Sequence, residues 1–116
     1  MKKLLVIQTA GLGYAFATRH GVPSVIGFAL RPIQTVFPAL TCTAQATLRT
    51  GLSPAQHGMV ANGFFDATLR KPWFWEQSAS LVSGPRIWEA FRARGGTVGL
   101  AFFQQSLGES VDQLVS

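Results

Sequence analysis

Residues 38–62 read PALTCTAQATLRTGLSPAQHGMVAN. Pro38 disfavours helical geometry at Phe37, so Val36-Phe37-Pro38 is a brief extended segment. Thr41 to Arg49 then reads as a helix. Thr41 is a good N-cap, Gln45 lies near the capping-box position, and Thr50-Gly51 supplies the stop. Ser53-Pro54 opens a second short helical turn that ends near His57-Gly58. An extended segment feeding a helix puts the Thr41 hydroxyl at a helix N-terminus. Free backbone N–H groups and a positive partial charge there suit a phosphate or another oxyanion.

Working outward, residues 3–9 form a short continuous apolar run, Leu4-Leu5-Val6-Ile7 at its centre, of the kind that makes a buried parallel strand. Gly11-Leu12-Gly13 would turn the chain after it. The same region, Lys2-Lys3 followed by Leu4 to Ala17, also imitates a secretory signal with a cleavage site at Ala15-Phe16-Ala17. Gln8 and Thr9 interrupt that apolar stretch and two glycines follow, which favours the strand. Helical stretches are predicted around 13–19 and 23–30, until Arg31-Pro32 interrupts them. Met59 to Phe65 reads as loop and short strand, and Trp73 to Trp75 as a segment that pairs at a sheet edge. Residues 85–94 give the clearest helix, with Ile87, Trp88, Ala90 and Phe91 as its apolar stripe and Gly95-Gly96 as its end. Val98 to Phe103 is another apolar strand. Strand, helices, strand in this order indicate an α/β fold with a parallel sheet.

Composition narrows the function classes. The 116 residues carry 10 Lys+Arg and 5 Asp+Glu, a net charge of +5, with 47% hydrophobic and 13% charged residues. That excludes a disordered chain. The scattered basic residues form no stripe for a nucleic acid polymer. The single cysteine, Cys42, excludes an internal disulfide and a cysteine-based zinc site, and fits a reducing cytoplasm. No run of 18 apolar residues occurs, so no membrane span is expected. Export remains the alternative if residues 1–17 act as a signal.

Thr41 has two readings. It is a helix cap, as most threonines in such positions are. Alternatively it is a nucleophile, which requires a base or a metal ion to activate an otherwise inert hydroxyl. Asn62 before Gly63 likewise reads as a turn residue or as an amide donor. His57 reads as structural rather than as a metal ligand, and His20 as a surface or helix-end residue. Cys42 reads as a packing residue, since no base partner is indicated. Trp73, Phe74, Trp75 and Trp88 could stack a nucleobase, but packing is the plainer role.

The run Thr41-Cys42-Thr43, Leu48, Thr50-Gly51-Leu52, Pro54, His57-Gly58 and Asn62 resembles the nucleophile region of the nucleotide pyrophosphatase/phosphodiesterase family within the alkaline phosphatase superfamily. Val6 to Gly13 resembles that family's first strand, and Trp75 to Asp112 its later helix and strand. The resemblance implies an alkaline-phosphatase-like three-layer α/β/α fold with a mostly parallel sheet. Residues 1–116 would be the N-terminal portion of one catalytic domain. It further implies a metal-dependent hydrolase of small phosphoesters. Thr41 would be the nucleophile and a metal-activated hydroxyl, Asn62 the donor to a non-bridging phosphate oxygen, and two divalent cations, usually zinc, the cofactors.

Two departures from the pattern matter. The family's first strand usually ends in an aspartate that binds metal, and here that position is Ala10. The nucleophile is usually followed by an aromatic residue that stacks the base, and here Cys42 follows it. The remaining Asp and His ligands would come from beyond Ser116. The 116 residues alone are therefore expected to be inactive. The alternative is a non-catalytic relative that binds phosphate-like anions or a protein partner after losing the ligand at Ala10.

Overall fold

The segment from Thr41 folds as the sequence predicts. Helix α2 covers Thr41–Thr50 and stops at Gly51, whose φ of 71° is the left-handed conformation that glycine adopts without a Cβ clash. Its start differs by one residue. The N-cap is Leu40, with extended backbone, and Thr41 is the first helical residue and makes no capping bond. Helix α3, Pro54–His57, follows with Ser53 as N-cap, Gln56 Oε1 accepting from the Ser53 N–H at 3.0 Å, and Gly58 at its end. The computed structural model describes residues 3–22, 24–25 and 27–116. Among them the fold is α/β, in two compact units, Met1–Gln34 and Thr35–Ser116.

In the first unit, helix α1 spans Tyr14–Arg19, close to the predicted 13–19. The predicted strand at 3–9 is not formed. Leu4, Leu5, Val6 and Ile7 are exposed, and no described residue pairs with them. A strand exists only through the neighbours that take its N–H and C=O groups, so apolar content alone did not make one. The predicted helix at 23–30 is also replaced. Ser24–Val25 (β1) pairs antiparallel with Phe28–Ala29 (β2) about a turn at Gly27, φ 80°. Glycine with positive φ, and the β-branched residue Val25, suit a hairpin better than a helix. Positions 23 and 26 of that prediction, and Met1 and Lys2 of the signal reading, lie outside the described residues.

The second unit holds two further strand pairs. Gly63–Asp66 (β3) pairs antiparallel with Lys71–Phe74 (β4), confirming the short strand after Met59 and the edge pairing of the tryptophan segment. The Trp75 N–H donates to the Asn62 carbonyl at 3.0 Å and sets the ladder's phase. Pro72, opposite Phe65, then falls at a non-hydrogen-bonded pair, where no N–H is needed. Gly63 is required by close approach. A Cβ there would lie 2.6 Å from the Phe74 ring and 2.7 Å from the Trp73 carbonyl oxygen. Gly63→Ala should therefore cost about 1–3 kcal/mol, measured as a lower urea midpoint at unchanged slope.

Gly99–Ala101 (β5) pairs parallel with Gln113–Val115 (β6). This is the predicted strand at 98–103, shortened where Phe102 turns to φ 60°. It is the one parallel pair among the described strands, so the expected mostly parallel sheet does not appear among them. The predicted helix at 85–94 is helical only over Glu89–Arg92 (α4). The Ile87 N–H is drawn to the Arg49 carbonyl at 2.8 Å, and the Glu89 carboxylate takes the Arg86 N–H at 2.9 Å. Residues 86–88 precede the helix as a single turn, closed by the Glu89 N–H on the Arg86 carbonyl at 3.0 Å. No helix among the described residues is long and apolar enough to cross a membrane.

The apolar core beneath α2 is small: Cys42, Ala46, Met59 and Val82, with Leu81 packed against it. The largest fully buried side chains are instead polar, Arg49, His57, Gln105 and Thr43. Burying polar groups costs least where they are hydrogen-bonded, as Arg49, His57 and Gln105 are in part, whereas the Thr43 hydroxyl has no partner among the described residues.

Candidate functional site

Thr41 is half-buried at the first turn of α2, a ten-residue helix with no acidic residue in that turn. Leu40 occupies the N-cap position and Thr41 is the first helical residue, so the Thr41 hydroxyl does not have the capping duty that its sequence position suggested. Asn62 reaches the same helix end from twenty-one positions away. Its Oδ1 accepts the Cys42 backbone N–H at 3.1 Å. The structure thus places Asn62 at the helix turn that carries Thr41, through a bond to the neighbouring Cys42. It also fixes the amide, since an oxygen committed to Cys42 leaves Nδ2 as a donor on its other side. The Asn62 carbonyl is held in turn by Trp75, so the residue is anchored through backbone and side chain.

Segment 104–109, which sequence reasoning missed, runs along α2 as a strap. The Gln104 N–H donates to Gln45 Oε1 at 2.7 Å. Gln105 Nε2 reaches Cys42 Sγ at 3.2 Å, and the Gln105 carbonyl accepts from Arg49 Nη1 at 2.9 Å. Glu109 closes the set, 3.1 Å from Arg49 and 2.6 Å from Arg86. Burial pushes the Arg49 guanidinium below its ordinary pKa, and the Glu109 charge opposes that shift. Sequence gave no signal for this strap, because glutamines and a glutamate in a loop look like solvent-facing residues.

His57 is structural, as expected. It is fully buried. Its Nδ1 accepts the Met59 N–H at 3.1 Å, which leaves Nε2 to carry the proton and donate to Thr47 Oγ1 at 2.8 Å. Burial, and then the Arg49 charge, lower its pKa. The unfolded chain therefore binds a proton that the folded chain resists. Stability is fully present above about pH 6.5 and falls as pH drops toward the folded value. Urea midpoints at pH 7.5 and 5.5 should show this loss, and His57→Gln should flatten it.

Cys42 is also a packing residue. Burial raises its thiol pKa, outweighing the hydrogen bond from Gln105 and the charge of Arg49, so the helix N-terminus does not make it a thiolate. The aromatic residues divide. Trp73 and Trp88 are half-buried, whereas Phe74 is 72% and Trp75 48% exposed, against the packing role expected for them.

The acids are all engaged elsewhere. Asp66 takes two N–H groups of its own turn, Glu76 those of Gln77 and Ser78, and Glu89 that of Arg86. Glu109 holds two arginines. Asp112 takes the Val98 N–H at 2.7 Å and pairs with Arg92, which lowers its pKa. Among the described residues no three His, Cys, Asp or Glu side chains gather as a metal-holding group. Ala10 is exposed in the turn before Gly11.

No match is found among curated proteins. A family model described as "Type I phosphodiesterase / nucleotide pyrophosphatase" matches residues 27–113, three quarters of the chain. The match includes Thr41, Asn62 and the whole TGLSPAQHG run between them, while Val6 to Gly13, with Ala10, lies before it. On that match the chain belongs to the type I phosphodiesterase/nucleotide pyrophosphatase family.

Proposed function

We propose that this chain carries the nucleophile and the phosphate-oxygen donor of a small-molecule phosphoester hydrolase. The observation that carries the reading is the Asn62 Oδ1 to Cys42 N–H bond at 3.1 Å, which sets Asn62 beside Thr41 at the open end of α2. Thr41 Oγ1, its proton given up, would attack phosphorus as the ester's P–O bond breaks and its alcohol leaves, and would hold the phosphoryl or nucleotidyl group as a transient ester until water hydrolyses it. Asn62 Nδ2 and the positive end of α2 would receive the non-bridging oxygens as charge gathers on them. The net charge of +5 suits an anionic substrate.

Two divalent cations, the cofactors expected for this family, would lower the pKa of the threonine hydroxyl and stabilise the leaving oxygen. The residues of this chain do not fit such a pair, because every carboxylate is already bonded within the fold. We therefore read the chain as the N-terminal portion of one alkaline-phosphatase-like catalytic domain of α/β/α layers, acting on small phosphoesters in the cytoplasm. By itself it should hydrolyse bis(4-nitrophenyl) phosphate no faster than buffer does. Joined to a downstream segment that supplies Asp and His ligands, it should turn the diester over with added zinc. Failure of that longer protein to bind zinc or to hydrolyse the diester would favour the competing reading, a scaffold that binds anions or a protein without turnover.

A further inference from the structure

The strand pair that begins next to Asn62 has an unassigned face. Asn62, Phe64 and Asp66 alternate onto one side of β3, and the register places Trp73 opposite Phe64 and Lys71 opposite Asp66 on that side. The Lys71 ammonium lies 4.4 Å above the Trp73 ring, which confirms that these two share a face. Phe64 and Lys71 are exposed, and Trp73 is half-buried. Asp66, the acid on this face, turns its Oδ1 to the N–H groups of Thr68 and Leu69, each at 2.9 Å, and forms no ion pair with Lys71. Leading away from Asn62 there are thus two aromatic side chains side by side, about 7 Å along the ladder, with the Lys71 ammonium reaching back over the second from the next position on that face. Cys42, beside Thr41, is fully buried and offers no ring surface.

From this arrangement we infer that Phe64, Trp73 and Lys71 form a subsite for the organic part of the phosphoester, and that it selects a flat unsaturated ring bearing an anionic group. The inference rests on the site proposed around Thr41 and Asn62. Phe64 supplies a face for the ring, and the Trp73-held ammonium meets the distal negative charge. Specificity would therefore reside in the hairpin that follows Asn62 and not in the residue after the nucleophile.

Three probes separate the parts: inorganic phosphate, phenyl phosphate and 4-carboxyphenyl phosphate, titrated into the 116-residue chain with tryptophan fluorescence and calorimetry as readouts. Phenyl phosphate should bind about five- to tenfold more tightly than phosphate, in the range of one aromatic contact. The carboxylate should add a further few-fold, and that increment should vanish in Lys71→Met. Phe64→Leu keeps the apolar bulk of the strand and should lose the ring increment, whereas Phe64→Tyr should keep it. Equal affinity for phosphate and phenyl phosphate, or a ring increment that survives Phe64→Leu, overturns the subsite. The Thr41–Asn62 reading is judged separately, by whether phosphate itself binds and whether Asn62→Ala abolishes that binding.

Discussion

Thr41→Ala should lower diester turnover by at least about a thousandfold in the protein that carries the complete domain, a loss near 4 kcal/mol of transition-state stabilisation. Folding should survive, because Leu40 occupies the N-cap position, Asn62 takes the Cys42 N–H, and the Thr41 side chain makes no capping bond. Thr41→Ser restores a hydroxyl and should restore most of the rate. Turnover in Thr41→Ala within a few-fold of the parent would remove this residue from the nucleophile role. Asn62 has two jobs that its variants separate. Asn62→Asp keeps an oxygen for the Cys42 N–H but loses the Nδ2 donor and faces the phosphate with negative charge. It should fold normally and lose about 100- to 1000-fold in rate. Asn62→Ala should lose the same rate and, in addition, about 1 kcal/mol of stability through the uncapped helix end.

The largest stability effect should come from Glu109→Ala. The Glu109 side chain is 5% exposed and its carboxylate is shared between Arg49, whose side chain is 1% exposed, and Arg86. Arg49 Nε and Nη2 have no partner among the described residues, so its charge is met through Nη1 alone. Removing one partner of a buried ion pair costs about 3–5 kcal/mol, a large share of the 5–15 kcal/mol that holds an ordinary domain. The urea midpoint should fall accordingly. Adding Arg49→Met, which withdraws the stranded charge and keeps the volume, should recover part of the loss. Equal midpoints for Glu109→Ala and the parent would show that the network carries no net stability.

Much of the second unit was legible in the sequence, for local reasons. Gly51 and Gly58 end helices where only a left-handed residue fits, and Ser53-Pro54 starts one. The placement of Asn62 at the first turn of α2, on the Cys42 N–H, follows from the twenty-one-residue spacing between Thr41 and Asn62 once the fold closes it. The errors have a shared cause. Residues 4–7 have the composition of a buried strand, and composition does not supply a partner. Residues 85–88 have a helical stripe, but the chain there closes one turn, Glu89 N–H to the Arg86 carbonyl, and Ile87 is tied to Arg49 of α2, so the helix starts only at Glu89. The cap at Leu40 could not be read, since Thr41 is the better capping residue and tertiary placement overrode it. Gln105 and Glu109 meet α2 across some sixty positions, and no local pattern encodes a contact of that separation.

The strap also bears on how sequence variants in this family should be interpreted. Changes at Gln105 or Glu109 alter a loop with no motif and no chemistry of its own, yet each side chain touches the helix that carries Thr41. In a saturation screen scored by growth, such alleles would fall among the loss-of-function class and imitate damage to the reacting group. Pairing the screen with an abundance measurement would sort them: strap alleles would lower protein level, whereas Thr41 alleles would leave full-length protein present and inert.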